Sequence, residues 1–162
     1  MAKEFELYDA PGHLIRRLQQ IAVALFFAGT RRFDITPVQY AALFSIREKP
    51  GLDQTALAHV IAFDRSTIAN VVERLESKKL ITRKAGASDR RTKRLYITPA
   101  GQKLLAGAIP AVQSVQEMIL APLDPGERDA FMAMLQRMVD LNNSHSRAPL
   151  RMSGAAPVRK LP

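Results

Sequence analysis

The sequence predicts a mainly α-helical chain with one small β-hairpin, in which a helix-turn-helix and the hairpin after it are flanked by long apolar helices. Three observations predict it. Between Asp53 and Thr98 two short helical patterns lie a few residues apart and are followed by two β-branched runs around a polar loop. On either side, residues 12–31 and 99–143 repeat apolar residues at helical spacing. Finally, of the net charge of +9, +7 falls between Arg65 and Arg94, where ten Lys or Arg face three Asp or Glu.

The elements follow in order. Residues 1–11 are a short lead in which Phe5, Leu7 and Tyr8 are apolar; in a dimer such an arm crosses to the partner, in isolation it frays. The first helix is expected over Gly12–Arg31. Its second half, Ala22–Ala28, is apolar almost all round, and such a helix must be covered on most sides. Thr36 as N-cap and Pro37 at the first helical position begin the next helix, ended by Pro50-Gly51; Tyr40 and Phe44 share one of its faces. Asp53–Ile61 and Arg65–Lys79 form the helix-turn-helix, with Asp64 capping the second helix. Ile68, Val71, Val72 and Leu75 make that helix's buried stripe. The hairpin pairs Leu80–Lys84 with Arg94–Thr98. Thr98-Pro99 starts a helix to about Leu120, where Pro110 predicts a kink. Asp124-Pro125 starts the last helix, to about Asn143. Residues 144–162 hold few large apolar side chains and are expected to be disordered, with Arg147, Arg151, Arg159 and Lys160 adding weak attraction to a polyanion.

These 162 residues suit one domain: residues 12–31 and 99–143 as pairing helices, 36–98 as the helix-turn-helix module, 144–162 as a tail. The absence of cysteine excludes a disulfide framework and a thiolate metal site. No stretch of about 18 apolar residues is present, and the N-terminus lacks the features of a signal peptide, so a cytoplasmic protein is expected. The strong positive charge favours a polyanion. A membrane surface fits poorly, because the basic residues do not lie on an amphipathic helix with a bulky apolar face.

The outward face of the second module helix suits duplex DNA. Ser66, Asn70, Arg74 and Ser77 recur at steps of three or four, and Arg65 and Thr67 stand with them at the helix start. An α-helix fits the major groove, where Asn pairs with adenine, Arg with guanine and Ser or Thr with either. At the hairpin tip, Arg90 and Arg91 suit a narrow minor groove, and Lys93 and Arg94 are placed for phosphates. Asp89 would be repelled by phosphate; a structural role, holding the loop or orienting Arg91, is expected of it.

The order and spacing of these residues resemble the MarR (multiple antibiotic resistance regulator) winged-helix family. The motifs are Asp64-Arg65-Ser66-Thr67, Arg74-Leu75-Glu76, Leu80-Ile81-Thr82-Arg83, Ser88-Asp89-Arg90-Arg91 and Leu95-Tyr96-Ile97-Thr98-Pro99-Ala100-Gly101. The resemblance covers roughly residues 11–145. It implies a winged helix-turn-helix module on a helical dimerisation bundle, and a homodimeric regulator of transcription binding a palindromic DNA operator. It also implies release by a small, frequently aromatic ligand in a crevice walled by the first two helices; the aromatic and cationic residues on those helices suit an aromatic acid or its thioester. His13, Arg16, Tyr40 and Phe44 are the candidates there; His13 as a first-turn surface residue and Tyr40 and Phe44 as core are the competing assignments. No catalytic constellation, cofactor motif or metal spacing among His13, His59 and His145 is present, so no enzyme and no cofactor are expected. A sequence-neutral architectural DNA-binding protein is the alternative; it predicts charge spread along the chain instead of packed into helix and hairpin.

Overall fold

The computed structural model describes residues 6–86 and 91–151. In these residues the elements run α1 (Pro11–Thr30), α2 (Pro37–Glu48), α3 (Gln54–Val60), α4 (Arg65–Ser77), β1 (Ile81–Ala85), β2 (Lys93–Ile97), α5 (Pro99–Leu120) and α6 (Pro125–Asn142), with short 3-10 turns at Leu7–Asp9, Arg31–Phe33 and Asn143–His145.

Local chemistry sets the helix starts. Thr36 and Gln39 cap one another reciprocally, each backbone N–H donating to the other's side chain at 3.2 Å. Asp53 Oδ1 accepts the Ala56 N–H at 2.8 Å, and Thr98 Oγ1 accepts that of Gly101 at 3.1 Å. The ends depart slightly from expectation, for a backbone reason. Ala62 and Lys79 adopt left-handed conformations, φ 53° and 58°. They allow Phe63 N–H to reach Ala58 O at 3.0 Å and Leu80 N–H to reach Leu75 O at 2.9 Å, closing the last turns. The second module helix therefore stops at Ser77 instead of Lys79. The strands also lie one residue away from their expected limits. Their antiparallel register pairs Ile81 with Ile97 and Ala85 with Lys93. α5 keeps its helical backbone through Pro110.

Two cores result. One gathers Leu43 and Ile46 of α2, Leu57 of α3, Ile68, Val72 and Leu75 of α4, Ile81 and Leu95 of the hairpin, and Leu105 of α5. It fixes α4 and the hairpin to one body. The other packs Phe26 of α1 and Ile35 against Ala108, Val112 and Val115 of α5. Here Gly29 lets the helices approach: a Cβ on it would lie 2.5 Å from Val115 Cγ2.

α6 buries no residue. Met132, Met134, Leu135, Met138, Val139 and Leu141 along it are exposed, as are Leu14, Ile15, Leu18 and Ile21 of α1. Among the described residues no single helix is long and apolar enough to cross a membrane.

Residues 144–151, which the sequence places at the start of the tail, make defined hydrogen bonds to the rest of the chain. Asn143 clasps Leu150 with both ends of its amide: Nδ2 donates to Leu150 O at 3.1 Å and Oδ1 accepts Leu150 N–H at 2.8 Å. Arg151 N–H then donates to His59 O, at the end of α3, at 3.0 Å. Composition does not disclose these contacts, because they are hydrogen bonds rather than apolar burial. Arg159 and Lys160 lie outside the described residues.

Candidate nucleic-acid interface

The α4 stripe Ile68, Val71, Val72 and Leu75 is buried, which turns Arg65, Ser66, Asn70, Arg74 and Ser77 to solvent, with Thr67 half-buried at the first turn. Asp64 organises that turn. Its carboxylate accepts the Thr67 N–H at 2.8 Å and the hydroxyls of Ser66 and Thr67, each at 2.6 Å. These bonds, Ser66 foremost, hold its carboxyl well below the usual carboxylate range.

The hairpin is anchored from two sides. Arg83 of β1 forms an ion pair with Glu76 of α4. That hydrogen bond lowers the Glu76 carboxyl and raises the Arg83 guanidinium from their ordinary values. On β2, Leu95 exchanges backbone hydrogen bonds with the turn before α3: Gly51 N–H to Leu95 O at 2.9 Å and Leu95 N–H to Leu52 O at 2.8 Å. Arg94 extends this seam, its Nη1 reaching Gly51 O at 3.3 Å and Asp53 Oδ2 at 3.5 Å. Arg94 was expected at phosphate; the structure gives it an intramolecular anchoring role. Lys93 and Arg91 are exposed at the hairpin's outer end. Together with Arg83, Asp53 and His59 they line an open cleft of about 560 Å³ between α3 and the hairpin. Asp89 and Arg90 lie outside the described residues.

At its other end α4 is tied to the joint between α1 and α2. Asp34, itself left-handed at φ 48°, receives Lys78 Nζ on Oδ2 at 2.7 Å and on its backbone oxygen. Beside this contact an open cavity of about 580 Å³ is lined by Phe27 and Arg31 of the α1 end, by Ile35 and Gln39, and by Arg74 and Lys78. Arg74 thus borders both the outward face and the cavity.

The four residues expected to share a crevice divide into two places. Tyr40 and Phe44 lie with ring centroids 6.2 Å apart, Phe26 is 6.1 Å from Tyr40, and Arg47 stacks over Phe44 at 4.6 Å. Burial raises the Tyr40 hydroxyl's pKa, opposed by Arg47. His13 instead meets Tyr8 edge-on at 5.4 Å, and Arg16 donates to Gln20 at 3.1 Å. His13 and Phe26 are thirteen positions apart on α1, about 20 Å of helix, so one protomer does not bring His13 to Tyr40. Sequence reasoning missed Arg47 as the cation beside the aromatic pair; its position three residues after Phe44 was the available signal.

A groove-sized helix with polar side chains outward, locked to a basic β-hairpin, defines a winged-helix DNA-binding protein. The chain belongs to the MarR family of transcriptional regulators. The MarR family model matches residues 35–93. The chain is 36% identical over 107 residues to the transcriptional regulator HosA of Escherichia coli O127:H6, covering 66% of this chain and 79% of HosA. Among solved structures it resembles BpsR of Bordetella bronchiseptica, whose DNA binding is regulated by 6-hydroxynicotinic acid, with a TM-score of 0.81 and 28% identity over 85% of this chain and 99% of that one. It also resembles the transcriptional repressor CouR bound to a 23-mer DNA duplex, with a TM-score of 0.77 and 27% identity over 86% and 99%.

Proposed function

We propose that the chain works as a homodimer that binds a palindromic operator sequence-specifically and represses transcription until a small aromatic acid or its thioester releases it. The observation that carries the proposal is the pairing of an outward polar helix with a large unpartnered apolar surface on α1 and α6. The first supplies one reading head; the second is the surface through which a two-fold mate holds a second head at a set distance. On B-DNA the two α4 helices would then enter major grooves about 34–36 Å apart. CouR on its duplex supports the DNA partner.

Selection of bound fragments from random duplex DNA tests this directly. A palindrome with about one helical turn between half-sites is expected; enrichment of no motif would favour the sequence-neutral architectural reading. Arg74→Ala is expected to cost roughly 1–3 kcal/mol on the selected site and to blur one base position. Equal weakening on every sequence would make Arg74 a phosphate contact. Arg91→Ala is expected to weaken binding most where the flanks are AT-rich, since a narrow minor groove concentrates negative potential. Unchanged titrations on both flanks at one salt concentration would remove the wing from the interface.

For the effector, the cavity beneath α4 supports a site better than the separated His13–Arg16 and Tyr40–Phe44 pairs. Its volume suits one aromatic acid, with Phe27 and Ile35 as apolar wall and Arg31, Arg74 and Lys78 as carboxylate partners. A carboxylate on Arg74 competes with DNA for the same guanidinium, which gives the ligand unequal affinity for free and DNA-bound states, as any releasing ligand must have. BpsR with 6-hydroxynicotinic acid supports the ligand class. Thermal-shift titration with hydroxylated aromatic acids and their coenzyme A esters is expected to stabilise the protein, and Arg31→Ala to lose that response while still binding DNA. Stabilisation retained in Arg31→Ala would move the site elsewhere.

A further inference from the structure

At the start of α4 three hydrogen bonds converge on one carboxylate, and they divide unequally between its oxygens. Asp64 Oδ1 takes the Thr67 backbone N–H and the Ser66 hydroxyl; Oδ2 takes the Thr67 hydroxyl alone. An ionised carboxylate has no hydrogen to give, so in both hydroxyl contacts Ser66 and Thr67 are the donors. Each hydroxyl owns one hydrogen. With that hydrogen turned inward, Ser66 Oγ and Thr67 Oγ1 present only lone pairs to the outside.

Ordinarily a Ser or Thr is an ambiguous reader, because its hydroxyl rotates to meet either a donor or an acceptor. A hydroxyl held by a carboxylate loses that freedom. In the major groove the donors are the N6 amino group of adenine and the N4 amino group of cytosine; guanine N7 and O6 and thymine O4 are acceptors, as are phosphate oxygens. In helix-turn-helix proteins the first residues of the second helix are the ones that meet base edges. We infer that Asp64 is a specificity-determining residue, which fixes Ser66 and Thr67 as hydrogen-bond acceptors so that the start of α4 selects adenine or cytosine amino groups. Asp64 itself touches no base; it is a positioning residue acting through its two neighbours. The inference rests on the proposed placement of α4 in a major groove.

The asymmetry of the cradle supplies a discriminating variant, Asp64→Asn. Asn caps helices as well as Asp does, so α4 is retained. Its carbonyl must stay toward the Thr67 N–H, since the amide there would set donor against donor. The carbonyl then also keeps the Ser66 hydroxyl, and the amide takes the place of Oδ2. Facing a donor, Thr67 Oγ1 becomes the acceptor and turns its hydrogen outward. Ser66 keeps its preference and Thr67 reverses.

The experiment is selection from random duplexes with the full chain, its Asp64→Asn variant and its Thr67→Val variant. Competition titrations at one salt concentration follow, so that the lost negative charge, which acts on all DNA alike, cancels in the ratio between two sequences. Asp64→Asn is expected to change one symmetry-related column from adenine or cytosine to guanine or thymine, shifting the ratio about tenfold there. Thr67→Val is expected to flatten the same column. A motif in Asp64→Asn identical to the parent's, with an unchanged ratio, overturns the inference while leaving the groove placement intact. A parent chain that enriches no motif overturns the groove placement, and the inference with it.

Discussion

A Gly101→Ala chain is expected to melt about 6–12 °C below the parent, the consequence of about 3 kcal/mol lost to overpacking against backbone. Gly101 sits buried in the first turn of α5, and a Cβ built on it lies 2.1 Å from Leu80 O, 3.0 Å from Leu80 C and 2.8 Å from Ile97 Cγ1. Two of these atoms are backbone, so no side-chain rotation relieves the overlap. The obstructed carbonyl is in use: Leu80 O accepts the Thr98 N–H at 3.0 Å and the Thr98 hydroxyl at 3.1 Å, and the same hydroxyl reaches Lys79 O at 2.7 Å. This knot joins the end of α4, the start of β1, the end of β2 and the start of α5. Pushing α5 away from it strains the cap on α5 and the seat of both DNA-facing elements at once, so DNA affinity should fall along with Tm. Melting followed by circular dichroism, with a titration on the selected operator at a temperature where both chains are folded, checks it. A melt within about 2 °C of the parent would show that α5 shifts without cost and that the close approach is not what places the wing.

Gly101 also shows which parts of the molecule a single sequence discloses. It closes the stretch Leu95–Gly101 by which the family resemblance was recognised, yet its physical reason, a methyl's width between α5 and Leu80, lies in tertiary structure. What was legible is chemistry that acts over one turn of chain: the caps at Thr36, Asp64 and Thr98, the prolines that follow two of them, and the stripe that buries one face of α4. The left-handed residues Asp34, Ala62 and Lys79 were not legible, because none is the glycine or asparagine that commonly marks such a position. Nor were the ties Glu76–Arg83, Asp34–Lys78 and Asp53–Arg94, each a matter of which side chains two elements bring level. Arg94 illustrates the point: as a cation beside the hairpin tip it reads as a phosphate contact, and only the structure shows its guanidinium reaching Asp53 and the Gly51 carbonyl. The separation of the candidate ligand residues within one protomer has a related cause. His13 and Arg16 stand on the helix next to that of Tyr40 and Phe44 in sequence, but neighbouring helices meet at particular heights, and α1 meets Tyr40 at Phe26.

Charging the unpartnered face of α6 is expected to produce the largest functional loss. Leu135 and Val139 lie one turn apart on that helix, and both are exposed to solvent in the single chain, 37% and 52%. Neither contributes to either core, so Leu135→Asp with Val139→Asp should leave the winged-helix module folded, with its circular dichroism spectrum retained. If a two-fold mate covers this face, two buried carboxylates per protomer oppose the pairing, since an unpaired charge is costly to bury. The parent should then weigh about twice 18.0 kDa by light scattering and the variant about 18.0 kDa. DNA affinity should fall about 10²–10⁴-fold, because two linked heads bind the second half-site at a high effective concentration and a lone head does not. The same variant should bind a single half-site as well as the parent's individual head does, which separates lost pairing from a damaged reading surface. A variant that keeps the doubled mass and the parent's operator affinity would show that the subunits join through another surface, and the spacing of the two α4 helices would have to be set elsewhere.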